Sequence, residues 1–135
     1  MNFLEKLLRA EVIGLVALLI CVILMGVYGF LESYVWSLQG KKLLIEPLDA
    51  GWLVFKAAGA IGLVVVLFFG APVYALLSYK HVASWWTVIL VGAVPGVGIL
   101  PFETGLGSWF VICGIVVACI THFLSVKFVS DEPAL

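Results

Sequence analysis

The sequence predicts an all-α membrane protein with four transmembrane helices in an up-down-up-down bundle, preceded by a short amphipathic lead. Three observations predict it. The 135-residue chain is 64% hydrophobic and 11% charged, with a mean hydropathy of +1.26, whereas soluble domains carry about 25% charged residues. Long uncharged runs follow one another along the chain, and a helix of about 20 residues covers a hydrocarbon core of about 30 Å. Lysine, glutamate, tryptophan and tyrosine gather where those runs end, as they do at bilayer interfaces. One integral membrane domain, residues 1–135, accounts for the whole sequence.

The lead, residues 1–11, can place Phe3, Leu4, Leu7 and Leu8 on one face and Glu5, Lys6 and Arg9 elsewhere, a pattern suited to lying in the headgroup region. It does not read as a cleaved signal, because the apolar run behind it exceeds an h-region of about 7–15 residues and no small-x-small site closes it. The first helix is expected over residues 12–37, with Tyr34 and Trp36 as anchors. Pro47, Gly40 and Gly51 mark the long connection that follows.

The second helix, expected over residues 52–79, holds the most apolar stretch. Ala57 to Tyr79 runs 23 residues without a charge, between Lys56 and Lys80-His81, and Gly70-Ala71-Pro72 interrupts it. The third is expected over residues 82–101, entered through Trp85 and Trp86. Its second half, Gly92-Ala93-Val94-Pro95-Gly96-Val97-Gly98, is a poor helix former and is expected to kink or partly unwind. The fourth is expected over residues 105–126, ahead of a polar tail. Pro72 and Pro95 are expected kinks, since proline removes a donor and clashes with the preceding turn.

Four spans put both termini on one side. With the N-terminus inside, Lys6, Arg9, Lys80 and Lys127 face the cytoplasm and Lys41, Lys42 and Lys56 face out, a slight positive-inside bias. This predicts a multi-pass protein of the bacterial inner membrane with cytoplasmic termini. The net charge of −1 offers no basic patch for phosphates, so no nucleic-acid partner is expected.

Chemistry-bearing motifs are scarce. Cys21, Cys113 and Cys119 lie inside apolar runs without C-x-x-C spacing, which reads as small packing residues rather than as a disulfide or metal site. His81 and His122 are the two histidines, and no nucleophile elbow occurs. No catalytic residue, cofactor or metal is therefore expected, and the chain does not read as an enzyme.

What remains is patterned. Small residues recur on single helix faces at Gly14, Gly59, Gly62, Gly92, Gly96, Gly107, Gly114 and Ala118, which marks faces meeting other helices of the chain, a second copy or a partner. Ionisable residues group by depth. Glu11 is level with His122 near the inner end, and Glu32, Lys56 and Glu103 form an outer group. Charges at membrane depth cost a few kcal/mol, so they pair, line a polar cavity or snorkel.

Two resemblances attach to particular residues. Ala10-Glu11-Val12-Ile13-Gly14 resembles the opening of small multidrug resistance transporters, where a first-helix glutamate binds protons and cationic drugs. That match spans five residues, and the later aromatic and glycine motifs of the family are missing. The run from Gly70-Ala71-Pro72-Val73-Tyr74 through Ser84-Trp85-Trp86 to Gly92-Ala93-Val94-Pro95-Gly96 resembles small four-helix bacterial inner-membrane proteins. Some proteins of that build are immunity proteins, which bind a membrane-inserting toxin.

The expectation is thus a non-enzymatic membrane protein acting by helix–helix recognition, as an immunity protein or an accessory subunit of a membrane complex. Its partners would be the lipid bilayer and another membrane protein or a second copy. The alternative is a small oligomeric transporter or channel using Glu11 and His122. A water-accessible cavity reaching those two residues would favour transport.

Overall fold

The computed structural model describes residues 3–102 and 104–128. Among them the elements are α1 (Phe3–Leu38), α2 (Pro47–Val65), a π-helical turn (Val66–Gly70), α3 (Ala71–Tyr79), α4 (Trp85–Ile99) and α5 (Thr104–Phe128), with no strand. α2, the π turn and α3 form one continuous rod, so the described residues make an all-helical assembly of four rods. Three stretches are long and apolar enough to cross a membrane: Phe3–Leu38, Pro47–Tyr79 and Gly107–Lys127.

The expected boundary between lead and first span is absent. α1 runs unbroken for 36 residues, because neither proline nor glycine lies between Phe3 and Ile13 to interrupt it. Its first turns dock on the end of α3. Lys6 Nζ donates to the Ser78 carbonyl at 3.2 Å, placing a cation where the last carbonyls of a helix carry partial negative charge. The Phe3 ring meets Tyr79 edge-on at 5.8 Å.

α1 ends in a Schellman motif. Lys41 N–H reaches the Trp36 carbonyl, Gly40 N–H reaches Ser37, and Gly40 takes φ +70°, which only a residue lacking Cβ adopts cheaply. α3 ends the same way, through Val82 to Leu77 and His81 to Ser78, but with His81 at φ +56°. That turn is as tight as the Lys80-His81 dipeptide implies.

The second rod begins five residues before the expected Trp52. Pro47 occupies its first turn, where the missing N–H has no helical partner to lose. Further along, Pro72 cannot donate to Phe68, and its ring would collide with that carbonyl. The ladder slips instead, so that Ala71 N–H bonds the Val66 carbonyl five residues back. The proline is thus absorbed as one π turn.

α4 departs furthest from expectation. Ser84 and Thr87 form a reciprocal capping box at its start, and the Leu77–Val82 closure consumes residues expected to belong to it. It ends at Ile99, two residues before Pro101. Its 15 residues reach about 22 Å at 1.5 Å each, short of a hydrocarbon core of about 30 Å. The glycine-rich half does not unwind, since the helix continues through Pro95. α5 extends the expected fourth helix by one residue at its start and two at its end.

Packing is set by glycine at two crossings. α4 and α5 meet backbone to backbone: a Cβ on Gly92 would lie 2.6 Å from both the Ala118 Cβ and the Gly114 carbonyl oxygen. One on Gly96 would lie 2.7 Å from the Phe110 carbonyl carbon, and Gly107 faces Leu100 in the same way. α1 and the second rod run antiparallel, pairing Gly14 with Val66, Gly62 with Leu18 and Gly51 with Phe30. Gly26 and Gly29, which lie against Phe55 and Val54, belong to this crossing although the stripes did not include them. Gly59 is looser, 3.7 Å from Val22.

These contacts separate two alanine substitutions only two residues apart on one helix. Gly96→Ala forces the backbones apart and should cost about 1–3 kcal/mol. Gly98→Ala meets nothing within 4 Å and should be neutral or gain up to about 1 kcal/mol from helix propensity. Thermal unfolding of the two variants in one detergent reads the difference, and equal melting temperatures would contradict the described crossing.

Candidate functional site

The two crossings leave a gap between them. α1 packs on the second rod and on α5, and α4 packs on α5, but the second rod makes little contact with either α4 or α5. The result is a groove of about 390 Å³ backed by α1. That volume falls in the range of small-molecule sites, about 300–1,000 Å³.

Each wall follows from helical spacing. α1 presents Gly14, Leu18, Cys21 and Met25 at alternating four- and three-residue spacing, while the second rod presents Ala57, Ala58 and Ile61. α5 presents Trp109, Cys113 and Val117, with the Trp109 ring 5.0 Å from that of Tyr28 on α1. No charged residue and no histidine lines the groove. The few polar atoms there are mostly spent internally: the Thr121 hydroxyl donates to the Val117 carbonyl at 2.8 Å. Midway along, Cys113 Sγ lies 3.5 Å from Met25 Sδ, and buried Cys21, one turn before Met25 on α1, lines the same wall.

One end of the groove is bolted. The Tyr74 hydroxyl on α3 and His122 Nδ1 on α5 are hydrogen-bonded at 3.1 Å. The Trp85 ring on α4 stands edge-on to the same imidazole at 4.6 Å. Below the bolt, Ala10, Ala71, Tyr74, Ala75 and Val88 form a buried cluster, so α1, α3 and α4 meet α5 at this level. His122 is 5% exposed, and no buried side-chain nitrogen or oxygen among the described residues lacks a partner.

The structure therefore gives His122 Tyr74 and Trp85 as neighbours. Glu11 lies half-buried on α1 and makes no hydrogen bond or ion pair with His122. Glu32 is exposed, and Lys56 holds its ammonium 5.8 Å over the Trp52 ring rather than against Glu32. Glu103 lies outside the described residues. The Tyr74–His122 bond is not legible in the sequence, because nothing there distinguishes Tyr74 from the other tyrosines near helix ends, Tyr28, Tyr34 and Tyr79. Its signal was register: Tyr74 follows the π turn that accommodates Pro72, and the extra residue of that turn rotates what comes after it.

Compared with family models, curated protein sequences and solved structures, the chain has no match in any of the three.

The bolt has a measurable strength. Tyr74→Phe leaves Nδ1 without its partner and should lower stability by about 0.5–2 kcal/mol, in line with side-chain hydrogen bonds inside membranes. A double-mutant cycle with His122→Leu checks it: the coupling should be positive and vanish when Tyr34, distant and exposed at 48%, replaces Tyr74 in the cycle.

Proposed function

We propose that this chain is a non-enzymatic membrane protein that works by recognising an apolar helix of another membrane protein, held in the groove between the second rod and the α4–α5 pair. An immunity protein against a membrane-inserting toxin and an accessory subunit of a membrane complex both act in this way. The observation that carries the reading is the lining: about 390 Å³ walled by aliphatic, aromatic and sulfur-bearing side chains, with no ionisable carboxylate, lysine or histidine. An ion path needs polar groups to replace hydration, and Glu11 and His122 do not line this one. A helix presenting aliphatic side chains needs only complementary shape, and Ala57, Ala58 and Gly62 leave room for it.

In this reading the protein sits in the bacterial inner membrane, crossing up-down-up-down with both termini cytoplasmic. The cationic end formed by Lys6, Arg9, Lys80 and Lys127 then faces inward. α4, too short to cross unaided, completes its passage through the flanking turns.

Ala57 is exposed and lines the groove without supporting either crossing, so it is the place to test occupancy. A photo-reactive amino acid at Ala57 should give one discrete protein adduct in native membranes, whose identified partner carries a transmembrane segment. The same group at outward-facing Leu90, 67% exposed, should label lipid only. Ala57→Trp should fill the groove and reduce partner recovery at least tenfold at unchanged membrane levels. Purified protein in liposomes should leave them tight to protons and cations; a flux abolished by Glu11→Gln would replace recognition with transport.

A further inference from the structure

We infer that Cys21, Met25 and Cys113 form a binding site for one soft monovalent metal ion, Cu(I) or its chemical probe Ag(I), in the wall of the groove. The inference stands on these three residues alone and does not require that the groove receive a helix.

Cys21 and Met25 are four residues apart on α1, so their side chains project from one face a turn apart. α5 brings Cys113 to the same place, its thiol donating to Met25 Sδ at 3.5 Å, and Cys21 lines the same wall. Two sulfurs at that separation can both reach a single ion through metal–sulfur bonds of about 2.3 Å. All three cysteines of the chain are free thiols. Cys21, Met25 and Cys113 all line the groove, which supplies the access that a buried site needs.

The donor set selects the ion. Thiol and thioether sulfur favour Cu(I), whereas magnesium, calcium and manganese need oxygen ligands. The groove wall offers no carboxylate and no imidazole. Charge points the same way. One thiolate and one monovalent cation make a neutral pair, and a neutral pair avoids the cost of a net charge at membrane depth. Loading is a ligand exchange: a low-molecular-weight thiol carrier arrives as RS–Cu(I), a Cys113 S–Cu bond forms as the RS–Cu bond breaks, and the Cys113 proton leaves on RSH. Met25 Sδ is the second donor, and Cys21 stays a neutral thiol that adds only a weaker third sulfur contact. No electron is transferred.

Anaerobic protein in detergent, titrated with Cu(I) against a chromophoric Cu(I) chelator, should bind one equivalent. X-ray absorption at the copper edge should show sulfur alone in the first shell, at about 2.3 Å. Cys113→Ser should weaken binding at least a hundredfold, and Cys21→Ser and Met25→Leu about tenfold each. Cys119→Ser, outside the cluster, should change nothing. Circular dichroism and gel filtration verify that each variant keeps the wild-type fold. Met25→Leu, which preserves volume and apolarity, decides the matter where a serine variant does not. Failure of the wild type to take up one equivalent, equal loss in Cys119→Ser, unchanged affinity in Met25→Leu, or a nitrogen or oxygen shell would each overturn the proposal.

Discussion

The second rod is fastened to the α4–α5 pair at one level and leaves it along the rest of its length, and the other features of the molecule follow from that arrangement. The fastening is the Tyr74–His122 hydrogen bond with Trp85 against the imidazole, set above a cluster of alanines and Val88. A polar pair is well suited to this role inside a bilayer. Apolar surface gains little from helix contact there, because lipid tails are equally apolar, whereas a hydroxyl and an imidazole find few other partners. Beyond the bolt, α1 carries the load alone, packing on the second rod along one side and on α5 along the other.

Glycine explains why the rods then diverge instead of closing up. Gly92, Gly96 and Gly114 bring α4 and α5 into backbone contact, and Gly26 and Gly51 do the same for α1 and α2, with Gly29 against the Val54 side chain. Each tight crossing holds one pair of rods rigidly, so the space between the pairs is a geometric remainder. Its walls combine residues of both crossings, Gly14, Leu18 and Gly92 among them, with residues that neither uses, such as Ala57 and Met25. The π turn adds to this by changing the phase of α3 relative to α2, which turns Tyr74 toward α5 while Phe68, 81% exposed, points outward.

Much of this was legible in the residues, and the failures have local causes. Apolar run length located all four rods, and three- and four-residue spacing picked out Gly92, Gly96, Gly114 and Ala118, because both signals are properties of a single helix. Helix ends were less legible. Pro47 was taken as a loop residue although first-turn prolines are favourable, and the amphipathic lead was separated from a helix that nothing interrupts. α4 was expected to be longer because an uncharged run does not reveal that its first residues close the preceding helix. Depth matched Glu11 to His122, but depth says nothing about azimuth, and the π turn aims Tyr74 there. The sulfur cluster was beyond reach for a related reason. Met25 and Cys113 are 88 residues apart in sequence, and only the register between α1 and α5 brings them together.

The groove also has an energetic consequence. An unfilled void costs about 24 cal/mol per Å³, so about 390 Å³ left empty would cost about 9 kcal/mol, comparable with the whole stability of an ordinary domain, about 5–15 kcal/mol. A bundle in hydrocarbon does not bear that cost, since acyl chains enter any gap that reaches the lipid. For the proposed helix recognition, the relevant competition would therefore be between lipid tails and the partner helix, not between a partner and vacuum. Tails are flexible and lose conformational freedom when confined, whereas the side chains of a folded helix are already ordered. A rigid apolar surface that matches Ala57, Ala58 and Gly62 thus gains over lipid through dispersion contacts and released chain entropy. Selectivity in the proposed recognition would rest on shape, so the small residues along this wall would matter more to it than the wall's hydrophobicity.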